Sequence, residues 1–531
     1  MENKTLRRKE KQGDRIKAPL VALFGFLSFV SMFLYSENSP FYATNPWSGP
    51  NYFMTVGKGI VHGLVPYKDL FEQKGPVLYF LHALAYLVTG NNFYGVYLLE
   101  SLSLLTSLCL FYKIARYFLT ERFAFFASLF LPALILGASS LCANTAWFVT
   151  GDSAEEFAFP AILYLIYVVI RKTKENRFRF STLDLFTFGL ITGLLFWTKY
   201  TMIGAYVGFY VYWAARLLLK KDLRHFVRGL VVIALGFFVA TLPILLYFLL
   251  NNGLNALFNV YFWVNLTTYG SSKTFLGHLH QIAQQLLNGF RAYPFLFLLA
   301  AAEVYYIVKN LRRKSNQVQI GLIATAFAFA TIFALADGQP WIYYFLILVP
   351  FFSLGWIASF EWLEPFFKGK NKLSMMTALA SIFLAILFPF LVNNNLLDSK
   401  LFVQTNKTPQ LTFAKLIDRV PHATLLSYGV QDVGFYMAAD VLPTSPYFAQ
   451  NNIAYKNYPA LNDGQSAVIS DKKVDFVVTD AKALVKSNQL INPKSRVPEY
   501  LALNYQLVAS QTDSRNQETY FLYENKKLTE K

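Results

Sequence analysis

Residues 229–251 read GLVVIALGFFVATLPILLYFLLN, a run without a charged side chain. At about 1.5 Å per helical residue, such a run crosses the roughly 30 Å hydrocarbon core of a bilayer. Comparable apolar runs occur on both sides of it, at residues 19–35, 93–117, 123–140, 156–170, 182–198, 201–219, 293–309, 317–336, 342–360 and 375–392. The sequence therefore predicts an α-helical polytopic membrane protein with about eleven transmembrane helices.

Composition and charge agree with this fold class. Of 531 residues, 55% are hydrophobic and 15% are charged, against about 25% charged in an ordinary soluble protein. Intrinsic disorder is excluded for most of the chain. The net charge of +17 is a topology signal, because basic clusters follow every second run, at 113–122, 171–179, 220–228, 309–314 and 368–372. The positive-inside rule places these clusters in the cytoplasm with the basic N-terminus, provided that the short apolar stretch at 77–88 does not cross. We therefore expect no nucleic-acid partner.

The predicted topology divides the chain into three parts. Residues 1–18 form a basic cytoplasmic tail that leads into a retained signal anchor, since no small-residue cleavage pattern follows the first run. Residues 19–392 form the membrane domain. Its first outer loop, 37–92, contains an amphipathic helix at 52–63, and a second such helix at 275–290 is expected on the membrane surface. Residues 393–531 are polar and contain the strand-like runs ATLLSYG, DFVVTD, YQLVAS and TYFLYEN, which predict a small extracytoplasmic α/β domain.

Acids and bases concentrate in the first outer loop, within PYKDLFEQKGP at 66–76. A carboxylate from Asp69 or Glu72 can deprotonate a hydroxyl or hold a metal ion, and Lys74 can neutralise a phosphate. A solvated loop with surface ion pairs explains the same residues. Spacing alone does not separate these two interpretations.

The second outer loop and a later one carry further charges at the predicted membrane boundary. Asp152, Glu155 and Glu156 directly precede an apolar run. Helix capping accounts for one acid, but three acids within five positions at the bilayer edge favour a functional role as well. Lys199 interrupts the apolar sequence FWTKYT, where either snorkelling to the interface or phosphate binding explains it.

Other polar positions carry weaker signals. Asp337 lies in a short outer loop, followed by Trp341, Tyr343 and Tyr344, which are typical of an interfacial aromatic belt. No Walker loop, dinucleotide fingerprint, HExxH or nucleophile-elbow motif occurs in the sequence, which disfavours a nucleotide-powered cytoplasmic enzyme.

Cysteine and histidine do not predict a metal centre. Cys109 and Cys142 fall in different regions and are interpreted as two isolated thiols. His278 and His280 are two positions apart, so on a helix their side chains point in different directions. A divalent cation bound by carboxylates is left open.

Three segments of the chain resemble segments of a known enzyme family. Residues 41–90, FYATNPWSGPNYFMTVGKGIVHGLVPYKDLFEQKGPVLYFLHALAYLVTG, resemble the first outer loop of GT-C-type glycosyltransferases, in the branch of the protein mannosyltransferases and the aminoarabinose transferase of lipid A. TGDSAEEFAFP at 150–160 looks like the second acidic loop of that branch, and QPWIYYFLILVP at 339–350 is similar to its late Tyr-rich signature. The most specific part is GLVPYKDLFEQKGP.

The resemblance implies an integral membrane enzyme whose donor is a polyprenyl-phosphate-linked sugar. The sugar would pass, with inversion, to a hydroxyl of an envelope glycan, lipid or protein on the outer face of the cell membrane. The predicted catalytic residues are Asp69, Glu155 and Glu156. Lys74 and Lys199 are the predicted ligands of the donor phosphate, and Glu72 and Asp152 are the supporting acids.

The sequence departs from the family pattern at one position. The family places an Asp just before the first-loop helix as the base, and Gly49 occupies that position here. Either Asp69 or an acid of the second loop replaces it, or the chain has lost transferase activity. Two non-enzymatic alternatives therefore remain: a carrier that flips or exports lipid-linked saccharides, and a degenerate transferase that acts as a partner protein. A carrier should place ionisable residues in mid-membrane, whereas these acids gather at the outer edge.

Overall fold

Helices, most of them apolar, make up most of the described chain up to residue 387. The computed structural model describes residues 16–42, 44–45, 47–140, 151–174, 179–268, 275–292, 294–311, 317–335, 342–367, 375–387, 408–484, 491, 496–514 and 517–529. Within these ranges, six helical segments are long and apolar enough to cross a bilayer: Ala18–Tyr35, Tyr94–Ala115, Tyr200–Leu219, Leu223–Leu250, Gln317–Leu335 and Tyr343–Phe366. The prediction of a mostly helical, multi-span membrane protein is confirmed.

The helices of this part are α1 (Ala18–Tyr35), α2 (Ser48–Val61), α3 (Pro76–Thr89), α4 (Tyr94–Ala115), α5 (Glu121–Leu129), α6 (Leu131–Ser140), α7 (Ala154–Lys174), α8 (Thr182–Thr198), α9 (Gly204–Leu219), α10 (Leu223–Leu250), α11 (Leu254–Leu257), α12 (Asn265–Thr268), α13 (Phe275–Ala292), α14 (Pro294–Leu311), α15 (Gln317–Leu335), α16 (Val349–Leu363) and α17 (Met375–Leu387). A π-helical segment, Phe258–Val264, joins α11 to α12, and a 3₁₀ segment, Ile342–Leu348, precedes α16.

Helix α7 lies at the centre of the bundle and is buried along most of its length. It packs against α4, α15, α16 and α8, whereas α8 runs along α10. A capping box starts α8, because the Ser181 hydroxyl accepts from the Asp184 amide at 3.1 Å while the Asp184 carboxylate accepts from the Ser181 amide at 2.8 Å. Asp184 also pairs with Arg171 and Lys172 at the end of α7, both at 3.0 Å. The end of α7 and the start of α8 are thus joined at one end of this helix pair, and the start of α7 and the end of α8 lie together at the other end.

The C-terminal domain is built on a four-stranded mixed sheet. Its strands are β1 (Leu425–Ser427), β2 (Phe476–Asp480), β3 (Tyr505–Thr512) and β4 (Thr519–Asn525), in the order β1-β2-β4-β3. β1 pairs with β2 in parallel, and the other two pairings are antiparallel. All five residues of the central strand β2 are buried, as expected for an apolar strand covered on both faces. All four strand-like runs of the sequence thus form strands.

In the described part of the domain, six helices accompany the sheet: α18 (Pro409–Ile417), α19 (Gly434–Ala438), α20 (Pro459–Ser470), α21 (Ala481–Leu484), α22 (Val497–Asn504) and α23 (Lys526–Thr529). The domain rests on the first outer loop. Lys58 of α2 is 2% exposed and pairs with Asp440 at 2.5 Å. Asn51 of α2 donates to Asp432 at 3.2 Å, and the Phe71 ring stacks on Tyr458 with centroids 5.2 Å apart. These contacts fix the domain above α2 and the loop that follows it.

Candidate active site

A cleft opens between the outer loops and the C-terminal domain. Its volume is about 140 Å³. The start of α2 lines one side with Trp47, Ser48, Gly49, Tyr52 and Phe53. Glu72, Gln73 and Lys74 follow from the first outer loop, and Ser153, Ala154 and Glu155 from the start of α7. Tyr343, Tyr344 and the C-terminal residues Gln431, Gln450, Asn451 and Asn452 complete the lining.

The loop at Lys74 is held from within by Glu72. The buried Glu72 carboxylate accepts from the Lys74 amide at 2.7 Å and from the Tyr79 hydroxyl. The Tyr67 hydroxyl donates to the Lys74 carbonyl at 2.6 Å. These bonds hold only the backbone of Lys74. Within the described residues, its ammonium forms no hydrogen bond or ion pair, so a free cation faces the cleft.

Glycine is required directly after this lysine. The Gly75 amide donates to the Thr198 carbonyl at 3.0 Å. A Cβ atom on Gly75 would lie 2.0 Å from the Trp197 carbonyl oxygen, a separation that no real contact allows. The missing side chain therefore lets the Lys74 loop rest on the end of α8, directly beside Lys199.

Glu155 and Lys199 form an ion pair across the helix ends. Lys199 follows the last residue of α8, and its Nζ lies 2.6 Å from Glu155 Oε1. The two side chains are 13% and 5% exposed. The same ammonium sits 3.6 Å from the centroid of the Tyr344 ring, a cation–π geometry. Glu155 lines the cleft while Lys199 lies behind it, so the lysine supports the carboxylate from the protein side.

A buried charge network holds the turn that leads into α7. His82 Nε2 of α3 lies 2.7 Å from Asp152 Oδ2. The Asp152 amide donates to Glu100 of α4 at 2.6 Å, and the same carboxylate accepts from Ser36 at 2.6 Å. Asp152 adopts a positive φ of 65°, a conformation that needs such support. The network joins four segments and fixes where α7 begins.

The protonation of this network follows from its geometry. The His82 Nδ1 atom lies 2.8 Å from the Leu78 carbonyl, which can only accept, so Nδ1 carries a proton. A second proton then lies between Nε2 and the Asp152 carboxyl group. Burial raises the pKa of Asp152, and the charge of His82 opposes that rise. The pair therefore carries at most one positive and one negative charge beneath the cleft.

Glu156 points away from the cleft. It closes a capping box with Ser153, accepting from the Ser153 amide at 3.1 Å and donating its own amide to the Ser153 hydroxyl at 3.2 Å. Its side chain borders a small cavity between α4 and α7, next to Glu100 and Phe159. Its Oε1 atom is buried without a hydrogen-bond partner in the described part of the chain.

Asp69 shapes the turn before the Lys74 loop. Its carboxylate accepts from the Val65 amide at 2.8 Å, and its own amide donates to the Val65 carbonyl at 2.8 Å. It is half-buried and does not line the cleft. Of the seven predicted site residues, the cleft therefore receives Glu72, Lys74 and Glu155 directly, and Lys199 through Glu155.

The family model for dolichyl-phosphate-mannose-protein mannosyltransferase matches residues 73–247, from the Lys74 loop to α10. The matched segment makes up about a third of the chain. The predicted resemblance to GT-C-type glycosyltransferases is confirmed. No curated protein sequence matches the chain.

Two solved structures of ArnT show the same fold over nearly the whole length. ArnT from Cupriavidus metallidurans, bound to undecaprenyl phosphate, aligns with a TM-score of 0.56 at 13% identity, covering 95% of this chain and 97% of that one. Its apo form aligns with a TM-score of 0.54 at 12% identity and the same coverages. The oligosaccharyltransferase of Archaeoglobus fulgidus, in complex with zinc and sulfate, aligns at 0.46 and 12% identity, covering 95% of this chain and 73% of that one. The protein therefore has an ArnT-like fold.

Gly49, where the resemblance predicts an acid, lies in the cleft wall. A Cβ atom there would meet Trp47 Cε2 at 3.4 Å and Phe53 Cζ at 3.6 Å, which are ordinary contacts. Space at this position therefore does not require glycine. The cleft therefore has no acidic side chain at position 49.

Several residues that line or support the cleft were missed by reasoning from sequence. His82 and Glu100 lie within apolar stretches, and an ionisable residue in such a stretch is by itself a functional signal. The C-terminal Gln431 and Asn451 give no signal, because polar residues are ordinary in a polar domain. Their position depends on how the domain rests on α2.

No metal centre is evident in the described residues. They contain no group of three or more His, Cys, Asp or Glu side chains that could hold a metal ion. His278 and His280 lie on α13, and Cys109 lies half-buried on α4 as a free thiol. Cys142, Asp337 and Trp341 fall outside the described residues.

Proposed function

We propose that this protein is a membrane glycosyltransferase that moves a sugar from a polyprenyl phosphate to a hydroxyl of an envelope glycopolymer, lipid or protein, with inversion. The observation that carries the proposal is the unpaired Lys74 ammonium in the same cleft as the Glu155 carboxylate. One group can bind a phosphate and the other can accept a proton. The undecaprenyl phosphate bound to ArnT, a protein of the same fold, supports a lipid-linked donor.

Lys74 is assigned to the donor phosphate. Its backbone is fixed by Glu72 and Tyr67, so the side chain is presented at little further entropic cost. Lys199 is the second cation of the predicted phosphate site. Its ion pair with Glu155 and its contact with Tyr344 hold it one layer behind the cleft. From there it contributes positive potential to an incoming phosphate, an effect that a site of low dielectric strengthens.

Glu155 is assigned as the base, in place of the Asp that Gly49 replaces. Asp69 and Glu156, which the sequence also offers as catalytic, are assigned positioning roles, since their carboxylates serve the turn at Val65 and the cap of α7. Asp152 supports the α7 turn through His82. These assignments rest on which carboxylates line the cleft.

The sugar passes to the acceptor by displacement at its anomeric carbon. The acceptor hydroxyl attacks the anomeric carbon from the side opposite the phosphate, and its proton passes to the Glu155 carboxylate. The bond between the anomeric carbon and the phosphate oxygen breaks, and the polyprenyl phosphate leaves with the electron pair. Lys74 stabilises the charge that grows on this leaving group. Attack from the opposite face gives inversion.

We further propose that about eleven helices cross the membrane, with the N-terminus in the cytoplasm and the C-terminal domain outside. Helix α7 starts at the cleft with Glu155 and ends with Arg171, Lys172 and Lys174. The positive-inside rule assigns that basic end to the cytoplasm. The cleft would then open at the outer leaflet, where no nucleotide sugar is present and a lipid-borne donor is needed.

The test uses purified full-length protein in nanodiscs with radiolabelled polyprenyl-phosphate sugars and envelope extracts. We expect label to reach an acceptor with the native chain and with Lys68→Met, the matched control. Lys68 lies in the same loop but is exposed and bonds to the Asn251 carbonyl at 3.2 Å. Lys74→Met should lower transfer at least tenfold, because a hydrogen bond to a charged group contributes about 1.5–3 kcal/mol.

Two outcomes would contradict the proposal. If Lys74→Met transfers at the native rate, the cleft is not the phosphate site. In proteoliposomes, label that crosses the bilayer while still attached to its lipid, with none on an acceptor, would identify a carrier instead. Unchanged membrane abundance of each variant ensures that a loss of transfer does not come from misfolding.

A further inference from the structure

Side-chain amides of the C-terminal domain form one wall of the cleft. Gln431, Asn451 and Asn452 all line it. Gln431 and Asn452 are exposed, and their side chains form no hydrogen bond within the described residues. Asn451 is 5% exposed, and its Oδ1 atom is buried without a partner in that part of the chain. The exposed amides of Gln431 and Asn452 are therefore open to a ligand, and Asn451 holds a buried acceptor next to them.

Gln450 holds these amides in place. Its side chain donates to the Asn451 carbonyl at 2.9 Å and accepts from Asn462 at 2.6 Å. Its amide donates to the Val430 carbonyl at 3.0 Å, and the Tyr52 hydroxyl of α2 donates to its carbonyl. The segments that carry Gln431 and Asn451 are thus joined to each other and to the membrane part. A wall fixed in this way is preorganised for a ligand.

A fourth amide faces the same cleft from the opposite wall. Gln73 is 4% exposed, and its Nε2 atom is buried without a partner among the described residues. Its carbonyl accepts from Asn265 at 2.9 Å, which fixes its backbone beside Lys74. A buried amide that lacks a partner destabilises the folded protein unless a ligand supplies one.

The chemistry of these four groups differs from that of the charged residues. An amide offers donors and an acceptor together, which matches a hydroxyl group that both donates and accepts. Neutral amides contribute little to binding a phosphate or to taking a proton. The rings of Trp47, Tyr52 and Phe53 line the cleft beside them and supply apolar surface for the C–H faces of a sugar.

We propose that the C-terminal domain reads the hydroxyl pattern of a sugar in the cleft, through Gln431, Asn451 and Asn452 on one wall and Gln73 on the other. This inference rests on the proposed function and deepens it. It makes the domain a specificity-determining part of the transferase. The phosphate stays with Lys74, so the C-terminal domain contacts only the sugar part of the donor.

The test compares two ligands in nanodiscs, a bare polyprenyl phosphate and the same lipid carrying a sugar. The double variant Gln431→Met/Asn452→Leu alters only exposed side chains. We expect its affinity for the sugar-bearing lipid to fall about tenfold, because two hydrogen bonds are lost. Its affinity for the bare lipid should not change. Asn457→Leu is the control, since Asn457 is exposed on the same segment and bonds instead to the Thr268 carbonyl at 3.2 Å.

The outcomes distinguish a donor sugar from an acceptor sugar, and they distinguish failure of this inference from failure of the proposed function. A tenfold rise confined to the acceptor KM would assign the hydroxyls to an acceptor sugar. Native affinity and native KM in the double variant would overturn the inference, even if the native chain binds both lipids. Failure of the native chain to bind either lipid would instead refute the proposed function.

Discussion

The ion pair between Glu155 and Lys199 gives the most direct energetic prediction. Its atoms lie 2.6 Å apart, with the side chains 5% and 13% exposed. Removing one partner of a buried pair leaves an uncompensated charge, which costs about 3–5 kcal/mol. We expect this cost for Lys199→Met, because the Glu155 carboxylate then stays buried alone. The lost contact with Tyr344 adds about 0.5–2 kcal/mol.

The double variant Glu155→Gln/Lys199→Met should be more stable than Lys199→Met. Both charges are then absent, and the desolvation cost of each disappears. The coupling energy from the double-mutant cycle should therefore be about 2 kcal/mol or more. Transfer behaves differently, since every variant that lacks the Glu155 carboxylate should lose activity. Stability thus recovers in the double variant while activity does not.

The assay is unfolding of the purified protein in nanodiscs, followed by tryptophan fluorescence, beside the transfer measurement. An exposed pair serves as the control, because Lys17 and Glu121 lie 2.9 Å apart with side chains 75% and 55% exposed. Lys17→Met should cost less than 1 kcal/mol, as surface pairs do. Additive effects of the two Glu155 and Lys199 substitutions would refute the reasoning.

Three further predictions concern the supports of the cleft. Gly75→Ala should abolish folded protein, measured as monodisperse yield, because its Cβ would lie 2.0 Å from the Trp197 carbonyl oxygen; a native yield would contradict this. Burial lowers the pKa of Lys58, and its 68%-exposed partner Asp440 opposes that effect. Asp440→Asn should therefore raise protease cleavage between the domains more than Lys58→Met does. The Asp440 variant leaves the buried Lys58 ammonium without its counter-ion. Burial raises the pKa of Asp480 to about 6, from 3.8. The folded state then binds the proton more tightly, so stability should fall by about 3 kcal/mol as pH rises from about 4 to above 6. Thermal unfolding of Asp480→Asn should lack this pH dependence, and an unchanged dependence would exclude Asp480 as its source.

The sequence by itself determined the membrane class and the four strands, and it singled out the charged residues of the first outer loop as candidates. These features are local, because a span is set by continuous apolar length and a strand by a short run of β-formers. Lys74 was also recognisable, since a family-like motif surrounds it within a few residues. The predicted helix at 52–63 overlaps α2 (Ser48–Val61), but α2 is buried between α3 and the C-terminal domain on most of its sides.

Only the tertiary structure decided which of two adjacent acids faces the cleft. Consecutive helical residues point about 100° apart, so the rotation of α7 presents Glu155 and turns Glu156 toward α4. That rotation is set by packing and by the turn at Asp152, which His82 and Glu100 hold from distant parts of the chain. The amide wall at Asn451 likewise exists only where the C-terminal domain rests on α2. Such placements depend on contacts between residues far apart in sequence, which no local pattern records.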